Sequence, residues 1–357
     1  MAYEDRLELI SQIERLRESK VIAFLTSLRP NLPAQIGDDS VRVFFDHLLR
    51  LPRRPVERLD VFLVSNGGSG TVPWRLVSLF REFAESFSVL IPYRAYSAAT
   101  LLALGANEIV MHPFGEMGPI DPKVANEFNP INPQTQQLIG ISVEDVKAYV
   151  TFIKDTVGIK HEDELVKTIE ILAQKLHPLA LGNVERFISQ NRMIARKILM
   201  THMGDEPNAH KIDEIIENLA SKLYFHGHPI NRREAKEELD LKIADDVSTE
   251  LEDAMWELYL DFEEDFKNLH VYDPLGEIWR AADAVQSGQQ AAPTQLSIIP
   301  PGTKAEMDLC LSKVESTAMS SSFNLRRRWV VAGTGAQLEP IIREETLSQK
   351  WDHQWAP

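Results

Sequence analysis

The chain has 357 residues, a mass of 40.5 kDa and 44% hydrophobic residues, enough to bury a large core in one domain with or without an appendage. Its net charge of -15 argues against a nucleic-acid surface, which needs clustered Lys and Arg to neutralise phosphates, and the run Arg326-Arg327-Arg328 is too short to change that. The single cysteine, Cys310, excludes an intramolecular disulfide and fits a reducing compartment.

The opening MAYEDRLELI lacks the basic and apolar regions of a signal peptide. The most apolar window, 88–106, is interrupted by Pro92 and Arg94 and reads as a buried strand and helix, not a membrane span. The expectation is a cytoplasmic protein.

In chain order, Leu7, Ile10, Ile13 and Leu16 recur at three-residue steps among charges and predict an amphipathic N-terminal arm over residues 1–19. VIAFLT (21–26) reads as a buried strand, and Asp38-Asp39-Ser40 opens a helix with Val43, Phe44, Leu48 and Leu49 on its apolar face. A strand over 59–64, a glycine turn, a helix over 74–83, a strand over 88–92, a small-residue helix after Ser97 and a strand over 108–112 follow. This alternation predicts an α/β fold with a mainly parallel sheet. Residues 113–140 are loop-like and rich in Pro, Asn and Gln.

Helices are expected over 142–157, 161–175, 178–203 and 208–223. Next come a helix at NRREAKEEL, a short strand at LKIADDV and an amphipathic helix over 249–269. SGQQAAPTQ marks a linker, placed at 286–296, because that composition buries too little surface to fold. The alternating segments DLCLSKVES and NLRRRWVVAG predict a small β-rich C-terminal appendage over 297–357. Cys310, inside the first of them, reads as a small core residue.

Two stretches carry chemistry. Adjacent glycines in Asn66-Gly67-Gly68-Ser69-Gly70 follow a strand, so the backbone can turn sharply and point N–H groups at a phosphate or an oxyanion. Neither the dinucleotide fingerprint nor the phosphate loop is met: Pro73 stands where the last glycine of G-x-G-x-x-G belongs. Ser97 lies where SVLIPYRAY gives way to AATLLALGA. By itself it reads as an N-cap. Joined to the glycine turn, it supplies the second half of an acyl-transfer site, because a helix N-terminus offers free N–H groups to developing negative charge.

SNGGSG, YSAATLLALGANEIVM, MGPIDP and LYFHGHPINRREAKEELDLKI, in that order, resemble the Clp-fold serine peptidases. The chain is most similar to the serine dehydrogenase proteinases, related to signal peptide peptidase A. The resemblance covers most of residues 20–270 and implies a Clp/crotonase-like ββα spiral with added helices, a peptidase domain over 20–285 and assembly into a homo-oligomer. It implies Ser97 as nucleophile and the backbone N–H groups of Gly68 and Ala98 as oxyanion donors. A peptide substrate would add as an extended strand beside Gly67, Ser69 and Gly70.

The Clp-type histidine is absent from Met117-Gly118-Pro119-Ile120-Asp121-Pro122. Relatives of signal peptide peptidase A use a lysine further downstream, and a buried lysine with a lowered pKa serves as base. Lys147 and Lys123 are the candidates. Asp121 either orients a base or shapes a turn. His177 opens a helix, and His226 and His228 have the spacing of a metal pair but lack companion ligands, so no metal and no cofactor is expected. Asn218 falls loosely where Clp-type peptidases carry the acid of their triad.

The leading expectation is an ATP-independent serine peptidase with a Ser/Lys dyad. The alternatives are a crotonase-like enzyme acting on an acyl thioester through the same oxyanion hole, and a non-catalytic assembly or binding protein on the same fold.

Overall fold

A computed structural model describes residues 3–356 apart from 33, 121–122, 125–126, 133–137, 205–207, 223–227, 287–298 and 336–338. The elements of the first half are α1 (Tyr3–Arg17), β1 (Lys20–Thr26), α2 (Asp39–Leu48), β2 (Val56–Val64), α3 (Val72–Phe83), β3 (Ala84–Ile91), β4 (Arg94–Ala95), α4 (Ala98–Ala103), β5 (Glu108–Met111) and β6 (Glu116–Met117). The insertion that follows holds β7 (Lys123–Val124), β8 (Ile141–Ser142), α5 (Val143–Thr151), which runs on as a π-helical turn over Phe152–Thr156, and α6 (Glu162–Ala173).

Then come α7 (Pro178–Met203), α8 (Ala209–Glu217) with a second π-helical turn over Asn218–Lys222, β9 (Ile230–Asn231), α9 (Arg232–Glu237), α10 (Thr249–Phe266) and α11 (Pro274–Gln286). The chain closes with β10 (Lys304–Ser316), β11 (Met319–Thr334) and β12 (Pro340–Trp355).

Among the described residues the main sheet has seven strands in the order β12-β11-β10-β1-β2-β3-β5. β1, β2, β3 and β5 run parallel. Both faces of this parallel part are covered, which is why its strands read as continuous apolar runs rather than alternating ones. Ile22, Phe24, Val61, Leu63, Val89 and Ile91 face α2, α3, α4, α7 and α8. Val21, Ala23, Leu25, Phe62, Leu90 and Val110 face α1 and α10.

The N-terminal arm is therefore part of the core. Ile10 and Ile13 of α1 are fully buried against α10, and Arg6, 1% exposed, donates to Asp261 at 2.6 Å and to Glu315 at 2.7 and 2.9 Å. Breaking a buried ion pair from one side costs about 3–5 kcal/mol, so this cluster locks α1, α10 and β10 into one arrangement.

The segment expected as an appendage extends the same sheet. β10 pairs antiparallel with β1 through residues 312–316, and β11 and β12 follow as an antiparallel meander. The part of the meander that overhangs β1 packs Leu309, Leu325 and Trp329 against Tyr272, Ile278 and Ala282 of the α11 region. Most of the predicted linker lies outside the described residues. The strand expected at LKIADDV is reduced to a single bridge, Ile243 to Ile109, because β5, only four residues long, offers little edge to pair with. The three consecutive arginines are neutralised locally, Arg326 and Arg328 by Glu306 and Arg327 by Glu344.

His47 of α2 is buried between Ser316 (Nδ1 to Oγ, 2.9 Å) and Ser321 (Nε2 to Oγ, 3.0 Å). Burial, with His353 adding a smaller push, brings its pKa down to about 3 from 6.5. Between those values the unfolded chain holds a proton that the folded chain rejects, so the stability present above pH 6.5 is lost as pH falls toward 3. At 1.36 kcal/mol per unit, His47 removes about 2–3 kcal/mol between neutrality and about pH 4.5. Urea titrations at several pH values should show a shallower acid slope in His47→Gln than in wild type; equal slopes would refute the assignment.

Candidate active site

The parallel strands deliver two backbone features to one edge. The glycine turn follows β2, and Ser97 follows β3 and β4, so both emerge at the carboxyl ends of the sheet, where open α/β sheets place their ligand crevices. Two hydrogen bonds tie them together: Ser65 N–H donates to Arg94 O at 2.8 Å, and Tyr96 N–H donates to Ser65 O at 2.9 Å.

The Ser65 side chain holds the turn. Its Oγ accepts from Thr26 Oγ1 at 2.8 Å and from Gly67 N–H at 3.0 Å, and both hydroxyl residues are buried. These positions were missed from the sequence. The available signal was a hydroxyl residue closing an apolar strand, which places a hydrogen-bonding group at a strand end beside a turn that needs one.

Gly67 adopts φ +104° and Gly68 φ +153°, conformations that favour glycine. An added Cβ at Gly67 would stand 2.8 Å from Ser97 Cβ, 2.8 Å from Tyr96 O and 3.2 Å from Ala98 N, so only glycine lets the turn lie against the serine junction. At Gly68 the obstacle is the segment before α2. Ile36 bridges Gly68 in parallel, donating N–H to Gly67 O at 2.8 Å and accepting from Ser69 N–H at 2.9 Å. That pattern directs the N–H of Gly68 away from Ile36.

Ser97 itself has φ 54° and ψ -112°, a strained setting for a residue with a side chain, costing on the order of 1–3 kcal/mol. The simple N-cap expectation does not describe it, because its side chain makes no capping hydrogen bond to α4. Among the described residues, Oγ has no hydrogen-bond partner, and the N–H groups of Gly68 and Ala98 have no backbone acceptor.

The junction is braced from below. Thr100 Oγ1, fully buried, donates toward Ala95 O and Gly118 O, each at 2.8 Å. Tyr96 OH and Arg94 Nε both donate to Glu116 Oε1, at 2.9 and 2.7 Å. Desolvation, together with the hydrogen bond to Glu116, raises the Tyr96 phenol above its ordinary range, so it stays protonated.

The remaining candidates are spread around this core. Ser69 Oγ lies 3.1 Å from Thr71 Oγ1. A Cβ on Gly70 would meet Asn191 Oδ1 at 2.9 Å, and Asn191 Nδ2 donates to Ile120 O at 2.8 Å. α7 therefore closes over the glycine turn through Asn191, a contact with no local sequence signal.

Lys123 is in β7 and Lys147 in α5. Both sit on one unit, since Lys123 pairs with Ser142 immediately before α5. Their side chains, and Asp121 altogether, lie outside the described residues. Asn218 ends α8 next to Leu219, whose carbonyl accepts from Ile120 N–H at 3.1 Å.

The histidines have local work. His177 Nδ1 accepts from Leu179 N–H at 3.2 Å, and its ring stacks on Phe128. His228 Nε2 is 2.7 Å from Glu234 Oε1, and His226 lies outside the described residues. The Cys310 thiol is pushed up to about 12, chiefly by burial, and is no thiolate nucleophile at neutral pH.

No family model matches the chain. It is similar to two uncharacterised proteins of Methanocaldococcus jannaschii, one 26% identical over 220 residues (54% of this chain, 74% of that protein) and one 23% identical over 259 residues (69% and 77%). Among solved structures it is similar to the S97A mutant of the 1510-N membrane-bound stomatin-specific protease, with a TM-score of 0.34 and 14% identity over 64% of this chain and 81% of that one. Among the described residues, no helix is long and apolar enough to cross a membrane.

Proposed function

We propose that the chain is an ATP-independent serine peptidase whose nucleophile is Ser97. The observation that carries this reading is the conformation of Ser97 itself, a strained residue at a helix start whose hydroxyl makes neither a capping bond nor any other hydrogen bond among the described residues. Uncompensated strain of this kind is retained where the surrounding structure holds a reactive group in place.

In the proposed reaction Ser97 Oγ attacks the carbonyl carbon of a peptide bond while a lysine amine takes its proton. The negative oxygen accepts hydrogen bonds from the N–H groups of Gly68 and Ala98. Collapse of the tetrahedral intermediate breaks the C–N bond, and the leaving amine takes the proton from the lysine. Water, deprotonated by the same lysine, then hydrolyses the ester and restores Ser97.

The peptide would lie as an added strand along 69–72, with Gly67, Ser69 and Gly70 beside it. The base would come from the unit of β7, β8 and α5, as Lys147 or Lys123. No cofactor is required. Assembly as a homo-oligomer is supported by Phe152, Val166 and Ile171, each more than half exposed, which give the inserted helices an apolar surface that a second copy would cover.

Labelling by a fluorophosphonate probe, compared between wild type and Ser97→Ala, tests the nucleophile. For the base, Lys147→Ala and Lys123→Ala assayed separately should divide sharply, one losing about 10²–10⁴-fold in turnover while the other stays near wild type. Unchanged turnover in both would refute the dyad.

A further inference from the structure

The main sheet ends on β12, whose outer side has no strand beside it among the described residues. At 16 residues it is about three times a typical strand, and such an edge offers a long row of N–H and C=O groups to another chain. The β11–β12 ladder is irregular at two places, both before Ser348 on β12, and β12 opens on Pro340. Bulges and proline blunt that first half. From Ser348 to Trp355 the register against β11 is unbroken.

That register fixes which backbone groups face outward. Ala356 N–H donates to Ala318 O at 3.0 Å, one step beyond the pair of Met319 and Trp355. Hydrogen-bonded and open pairs alternate along an antiparallel ladder. The backbones of Gln349, Trp351, His353 and Trp355 therefore point away from β11, and among the described residues they have no backbone partner on that side.

The sequence of this half complements itself when reversed. Turned about a two-fold axis at Trp351, the segment 347–355 sets Lys350 of each copy opposite Asp352 of the other, Gln349 opposite His353, and Leu347 beside Trp355 at both ends. An axis at Lys350 or at Asp352 would instead oppose like charges. The groups are accessible: the Lys350 and Asp352 side chains are 64% and 45% exposed, Leu347 39% and Trp355 55%. A lone lysine guards an edge against pairing, but Lys350 has Asp352 at 2.6 Å along its own strand. Against a reversed copy the two pairs form an alternating square of charge.

We propose that the second half of β12 pairs antiparallel with the same segment of a second copy, joining two sheets into one across a two-fold axis at Trp351. The contact is isologous and adds about six backbone hydrogen bonds, two from each outward-facing pair between 349 and 353. It uses a different surface from the inserted helices and does not rest on the peptidase reading.

Sedimentation velocity on the full chain tests it. Wild type should form a concentration-dependent assembly. Gln349→Pro should halve its mass or raise its dissociation constant at least about tenfold, with circular dichroism unchanged, because proline removes an outward N–H and spares the ladder to β11. Lys350→Glu and Asp352→Lys should each separate the copies, and an equimolar mixture of the two variants should reassociate as a heterodimer, since opposite charges then meet again.

Wild type that stays monomeric at about 100 μM, or an assembly indifferent to Gln349→Pro and to both charge reversals, would overturn the pairing. Reversals that separate the copies but fail to reassociate on mixing would overturn the axis at Trp351.

Discussion

Ser97→Ala is expected to abolish fluorophosphonate labelling and to lower peptide hydrolysis by about 10⁴–10⁶-fold, the range set by removing the nucleophile of a serine enzyme. The same variant should fold as well as wild type, with a stability change within about 0.5 kcal/mol, because Ser97 Oγ makes no capping bond and has no partner among the described residues. The pairing of these two results is diagnostic. A serine acting as an N-cap would give the opposite pattern, a loss of about 1 kcal/mol on truncation with activity untouched. Wild-type protein that resists the probe at every pH where a model peptide is hydrolysed would end the nucleophile assignment. An acyl-thioester activity that survives in Ser97→Ala would favour crotonase-like chemistry through the same backbone donors.

The second large effect is expected at Gly68. An added Cβ would stand 2.3 Å from Ile36 O, 2.5 Å from Ile36 N and 2.9 Å from Ile36 C. All three are backbone atoms, so no side-chain rotation relieves the clash, and φ +153° is unfavourable for alanine in any case. Gly68→Ala must therefore push the turn and the Ile36 segment apart, moving the N–H that we propose as an oxyanion donor.

Loss of one oxyanion donor costs about 10²–10³-fold in kcat, and that is the expected deficit, with KM changing less and circular dichroism showing the sheet intact. The control is Gly182→Ala, an exposed helical position in α7 where nothing lies within 4 Å of the new Cβ. It should keep full activity and gain up to about 1 kcal/mol in stability from helix propensity. Gly68→Ala with wild-type kcat would remove Gly68 from the oxyanion site.

Much of the fold is legible from local pattern. The strands at 21–26, 59–64 and 88–92 and the helices beginning at 39, 72 and 178 fall close to where apolar runs, three- to four-residue periodicity and opening polar residues place them. The helix α11 was missed. What stabilises the helix is Ile278 and Ala282 packing in one cluster with Trp329 and Leu309, residues that the chain supplies only some thirty to fifty positions later.

The C-terminal strands show the same limitation. Alternation correctly signals strands, but alternation cannot say which edge they will join. That depended on β1 having a free edge, on the five-residue register between β10 and β1, and on Arg6 and Glu315 meeting across more than three hundred residues of sequence.

For the candidate site, the sequence by itself determined the two local elements. A pair of glycines after a strand fixes a sharp turn, and a serine between an extended segment and a small-residue helix fixes a junction, because backbone conformational preferences act over a few residues. Tertiary structure alone decided that the turn and the junction touch through Gly67, that Ile36 orients Gly68, that Ser65 and Thr26 hold the turn from beneath and that Asn191 closes it from above. Each of these is a contact between segments distant in the chain, set by strand register and helix packing rather than by any neighbour in sequence.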